Sequence, residues 1–167
     1  MWNKYSEKLF GLEYGYDEAV SVVFGAPFDS TTSFRPGARF ASRAMRADSF
    51  GLESYSPYQD RDLYDYKIHD GGDLELCFGS SEAALADIEQ YTASLLADGK
   101  RPIMLGGEHL VTLGAVRAAA QRYPDLCLVH FDAHTDLREA YLGVPLSHAT
   151  VIRRCWERLG DGRIHQY

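Results

Sequence analysis

Asp132, His134 and Asp136 stand at alternate positions in the stretch His130-Phe131-Asp132-Ala133-His134-Thr135-Asp136. Carboxylates and imidazoles together suit a borderline divalent ion such as Mn, Fe, Co, Ni or Zn better than Ca or a thiolate-seeking metal. In extended backbone, side chains two apart point the same way. This one segment could therefore grip one cation, or two that share a carboxylate. A solvated turn rich in aspartate has the same composition, and on this segment alone both readings stand. A second imidazole, His109, follows two glycines in Gly106-Gly107-Glu108-His109. Glycines there allow a sharp turn and close backbone approach. Taken singly, His109 could also cap the helix that follows it or pack in its first turn.

These segments need a scaffold, and hydrophobic periodicity supplies one. Leu126 to Val129 is an apolar run bounded by Pro124 and reads as a short buried strand of a parallel sheet. Ser21 to Gly25 reads as the first strand, followed by the loop Ala26 to Asp29 and a turn-rich loop from Ser30 to Gly37. Ala38 to Phe50 reads as a helix ended by Gly51, residues 52–67 as irregular, and Ile68 to Asp73 as a short strand and turn. Ser80, Ser81 and Glu82 form a helix start, with a hydroxyl cap and an early acid. Ala84, Leu85, Ile88, Tyr91, Leu95 and Leu96 recur at helical spacing until Gly99. Pro102 to Leu105 is a strand running into the Gly-Gly segment, and Leu110, Leu113, Val116 and Ala120 mark one face of the next helix. Residues 137–149 are a loop, Thr150 to Leu159 a helix, and Arg163 to Tyr167 a strand; residues 1–19 are a polar surface arm.

Strands alternate with helices, which predicts a mostly parallel sheet covered on both faces. Ligands in such sheets sit beyond the carboxyl ends of the strands. The segments at 106–109 and 132–136 both lie at such ends, so they are expected to meet. Asp29 also follows a strand end and is a candidate neighbour of the site. His130 is expected in the core or behind the ligands. The tyrosines at 55, 58, 64 and 66 are read as loop packing rather than a pocket mouth, and His69 and His165 receive no role.

The 167 residues are 46% hydrophobic and 25% charged, an ordinary globular composition with enough chain for one core. A net charge of −7 argues against nucleic acid or an anionic membrane as partner and weakly favours a small cation. Cys77, Cys127 and Cys155 make neither a zinc pattern nor a disulfide framework, which fits a cytoplasmic protein.

Three spaced motifs carry a resemblance to the ureohydrolases, the arginase and agmatinase family. Gly106-Gly107-Glu108-His109, Asp132-Ala133-His134-Thr135-Asp136 and Ser147-His148-Ala149-Thr150 stand in the family's order. Gly25 to Asp29 and Arg35 to Arg39 are similar to the agmatinase branch, as is the loop from Leu137 to His148. The resemblance implies a three-layer α/β/α sandwich and a binuclear Mn2+ centre. Of its ligands, His109 and Asp136 would hold one ion, His134 the other, and Asp132 would bridge. His148 would be the active-site histidine. The implied reaction is hydrolysis of a linear amidine, agmatine giving putrescine and urea; guanidinobutyrate, arginine and formiminoglutamate are alternatives. The implied partners are a small cationic guanidino substrate and further copies of the chain.

The family's second acidic motif, Asp-x-Asp-x-x-Asp-Pro, has no counterpart after His148. Residues 1–167 are therefore expected to be the N-terminal part of a single longer ureohydrolase domain. That leaves three protein ligands for one ion and two for the other, impaired catalysis, and an open sheet edge. A non-catalytic metal-binding or oligomerisation fragment is the competing expectation.

Overall fold

The computed structural model describes residues 7–77 and 79–167. Chain order is β1 (Ser21–Ala26), α1 (Ala41–Ser49), β2 (Tyr55–Ser56), β3 (Arg61–Asp62), β4 (Ile68–Asp73), α2 (Ser81–Ala97), β5 (Arg101–Gly106), α3 (Val111–Arg122), β6 (Leu128–His130), α4 (Val151–Leu159) and β7 (Ile164–Gln166). The α/β class with parallel pairing is as expected. β4, β1 and β5 form a three-stranded parallel sheet with β1 at its centre.

β1 is central because Val22, Val23 and Phe24 are β-branched or aromatic and every residue from Val22 to Ala26 is buried. Its side chains alternate between two helical layers. Phe24 meets Tyr91 of α2 edge-on at 5.0 Å. On the other face, a Cβ on Gly25 would overlap Asp73 and Ser42 of α1. The main core joins Ala26 and Phe28 to Leu85, Ile88, Leu110, Leu113, Val116, Val151, Ile152 and Cys155, which ties α2, α3 and α4 together.

Local signals account for most boundaries. The Ser80 hydroxyl accepts the Ala83 N–H, and α2 stops at Ala97, two residues before Gly99, whose φ is 72°. α3 packs closely on α2 at Gly114, where a Cβ would lie 2.8 Å from the Leu85 carbonyl oxygen. α1 begins three residues later than expected because residues 38–40 form a 3-10 turn. The region read as irregular contains the two-residue ribbon of β2 and β3.

Three expectations need correction. The arm over 1–19 is not wholly superficial: Leu12 and Ala19 are buried, and Tyr16 packs against the second small core; residues 1–6 lie outside the described set. The strand expected at 126–129 is displaced to Leu128–His130, because Leu126 is taken into a turn in which its N–H bonds the Tyr123 carbonyl. Nor is that strand a fully buried one. Among the described residues β6 pairs only with β7, in a separate two-stranded parallel sheet, and Val129 is 54% exposed.

Candidate metal centre

Two strand tips build the site. At the end of β5, the Gly107 N–H donates to the Ala26 carbonyl at 2.8 Å and the Glu108 N–H to the Phe28 carbonyl at 2.7 Å. A Cβ on Gly107 would overlap the Phe28 backbone, so this approach requires glycine. Glu108 is buried and satisfied: its carboxylate accepts from Leu110 N–H at 2.8 Å and from the Thr31 hydroxyl at 2.5 Å. Glu108, not His109, thus holds the turn that leads into α3. That frees the His109 ring to face the β6 tip.

There His109 Nδ1 lies 2.6 Å from Asp136 Oδ2 and 3.8 Å from Asp132 Oδ2. The two loop tips therefore meet, as the sequence requires. Ligand atoms of His109, His130, Asp132 and Asp136 all lie within 4.8 Å of one another. Two imidazoles and two carboxylates at this spacing fit a borderline divalent ion and would repel an anion. The Asp132 carboxyl is held below its ordinary value, chiefly by the backbone N–H of His134, with His109 and His130 assisting and burial opposing. An ionised Asp132 is the form that binds a cation.

His134 behaves differently from the simple alternation. The chain bends at residues 133–134, and the His134 N–H donates to Asp132 Oδ1 at 2.8 Å. The backbone is therefore not extended, and the His134 side chain swings outward to 81% exposure while its Nδ1 stays 3.2 Å from Asp132 Oδ1. His134 is beside Asp132 but outside the four-residue cluster. His130 takes the place on the inner side, stacked on His109 with centroids 5.1 Å apart. His130 is buried there, consistent with its expected place in the core or behind the ligands, and it shares the parity of 132, 134 and 136.

His148 stands on the far wall. Its Nδ1 is 2.8 Å from the Thr31 carbonyl, which can only accept, so Nδ1 carries hydrogen. Nε2 is then the free base of the neutral ring and lies 3.3 Å from the Ser33 hydroxyl. Tyr141 meets the ring edge-on at 5.5 Å. A cleft of about 750 Å³ joins Thr32, Ser33, His109, Asp132, Asp136 and His148. Asp29 does not line it. That carboxylate instead accepts from Gly37 N–H at 2.7 Å and from Arg39 at 3.0 Å, fixing the 30–37 loop. Tyr64 and Tyr66 likewise serve loop contacts, to the Phe10 carbonyl and to Arg61.

A parallel α/β layer with histidines and aspartates gathered at strand carboxyl ends defines an α/β protein with a candidate metal site. The chain belongs to the arginase family, which residues 19–166 match. Agmatinase of Bacillus anthracis is 46% identical over 164 residues, covering 98% of this chain and 57% of that protein. N(1)-aminopropylagmatine ureohydrolase of Thermococcus kodakarensis is 38% identical over 143 residues, or 84% of this chain and 48% of that one. The crystal structure of agmatine ureohydrolase of Thermoplasma volcanium superposes with a TM-score of 0.89 at 42% identity, over 96% of this chain and 54% of that one. The chain spans about half the length of the curated relatives it matches. No helix among the described residues is long and apolar enough to cross a membrane.

Proposed function

We propose that the protein hydrolyses a guanidinium group, with agmatine as substrate and putrescine and urea as products. The observation that carries this is the convergence of His109, Asp132 and Asp136 in one cleft with His148 across from them. Support for agmatine over related guanidino compounds comes from the relatives named above and from the agmatinase-like loop at 137–148.

A guanidinium is resonance-stabilised and cationic, hence a poor electrophile. Held by these residues, a divalent ion, Mn2+ in this proposal, would supply a nucleophile at neutral pH by lowering the pKa of water from about 15.7 toward about 7. His109, Asp132 and Asp136 would hold one ion, and His134 with Asp132 a second. The carboxylates also make the cleft hospitable to a cation. His148, oriented by Thr31, exchanges a proton at Nε2 with the departing amine. The reaction is confined to small cationic substrates, in a cytoplasmic setting.

Urea release from agmatine by the purified protein with added Mn2+ tests this directly. Release that vanishes in His109→Ala and Asp132→Ala is the expected result; release unchanged in both would overturn the assignment. A second reading is ion binding without turnover. It is favoured by His134, which has only Asp132 within ion-pair distance among the described residues. Metal content after dialysis separates the two, because that reading predicts one ion per chain and no urea.

A further inference from the structure

His130 is 7% exposed, and its Nε2 is buried with no hydrogen-bond partner among the described residues. A buried polar atom without a partner is destabilising, so its placement calls for an explanation. Asp132 Oδ2 lies 3.5 Å from Nε2, close to but not within hydrogen-bond geometry. On the other side of the ring, Nδ1 is 2.9 Å from Gln166 Nε2. The same amide nitrogen is 2.9 Å from the Thr135 carbonyl oxygen.

Those two contacts decide the protonation pattern. A carbonyl oxygen only accepts, so the amide must turn its NH2 group, not its oxygen, toward Thr135. The second N–H of that group then faces His130 Nδ1, which must accept. Neutral His130 therefore carries its hydrogen on Nε2, 3.5 Å from the Asp132 carboxylate. A protonated Nε2 cannot ligate a cation, but it can hold a carboxylate that does. Asp132 Oδ1 is already held by the His134 N–H at 2.8 Å. Oδ2 is the oxygen left to orient.

We propose that Gln166 and His130 form a positioning relay that fixes Asp132 for metal binding, with His130 a donor to the carboxylate and not a ligand. This rests on the metal-centre reading given under Proposed function. The relay spans β7, β6 and the loop beyond β6, so pairing of these strands sets the geometry of the site.

The tautomer is read by long-range 1H–15N NMR at a pH where the ring is neutral, on the wild type and on Gln166→Glu. The wild type is expected to carry its hydrogen on Nε2. The carboxylate introduced by Q166E would accept from Nδ1, so that variant is expected to carry its hydrogen on Nδ1. A wild-type Nδ1–H overturns the proposal without any variant. Mn2+ affinity is then measured by calorimetry on His130→Gln and His130→Met, with circular dichroism to confirm folding. H130Q keeps a side-chain N–H donor and is expected to bind within about 3-fold of wild type, whereas H130M is expected to lose about 10-fold or more. Equal binding by wild type and H130M overturns the relay alone. Equal losses in both variants would make His130 a ligand and overturn it too. A wild type that binds no Mn2+ defeats the metal reading itself.

Discussion

Asp136 combines two demands at one residue. Its φ is 47°, in the left-handed region that non-glycine residues rarely adopt. That turn aims the carboxylate at His109 while the Asp136 carbonyl accepts the Ile152 and Arg153 N–H groups at 3.1 and 3.2 Å, capping α4. Strain and charge separate by substitution. Asp136→Gly should be more stable than Asp136→Ala by about 1 kcal/mol, since only alanine meets the Cβ penalty; both should lose metal. Urea denaturation and metal analysis of the pair check this, and equal stabilities would show the backbone relaxes. His148→Asn tests the opposite wall: turnover should fall about 10²–10⁴-fold while metal content stays unchanged. Residue types were legible here because His109, Asp132 and Asp136 sit where strands end. Side-chain direction was not. At the bend where the His134 N–H bonds Asp132, the His134 side chain turns outward and leaves the face that alternation assigns to it together with His130, Asp132 and Asp136.

Elements were easier to foresee than their partners. α2 matched its expected start, apolar face and glycine stop because each is a local signal. Gly114 in α3 carries no local signal, since its reason lies in another helix. A Cβ there would meet Leu85 and Ile88 of α2 at 2.8 Å. Gly114→Ala gains up to about 1 kcal/mol of helix propensity but forces overpacking that costs about 1–3 kcal/mol. Net destabilisation is expected in a thermal melt; a rise in Tm would show that the helices part freely. The α1–β4 contact was equally unforeseen. Arg46, buried in α1, pairs with Asp70 at 2.8 Å and also with Asp73. Burial pushes the Asp70 carboxyl up, but Arg46 and the Leu9 and Gly72 N–H groups outweigh it and hold it below its ordinary value. A depressed carboxylate contributes stability above its unfolded pKa of about 3.9, and loses it as pH falls through the lower folded value. Asp70→Asn should cost about 3–5 kcal/mol at neutral pH by leaving Arg46 buried and underpaired. That gap to wild type should narrow in urea titrations below about pH 4.

At the scale of the whole molecule, the alternation of strands and helices predicts one parallel sheet, yet the described residues form two. β5 pairs only with β1, and β6 only with β7. Sequence order reveals which segments are strands; pairing across the sheet depends on contacts that no local pattern encodes. The consequence is apolar surface beside unpaired backbone. Ile103 on β5 is 41% exposed, Val129 on β6 54%, and Phe131 just beyond it 79%. Parallel strands are ordinarily covered, and an uncovered apolar edge is a template for pairing with another chain. The 167-residue chain should therefore self-associate as concentration rises, which sedimentation velocity would show as an increasing weight-average mass. Val129→Lys places a charge on that edge and should return the chain toward monomer, because burying an unpaired ammonium opposes further pairing. The Val129 side chain lies outside the four-residue cluster, so metal content should be unaffected by the change. A wild-type chain that stays monomeric over the full concentration range would show that the β5 and β6 edges are not sticky.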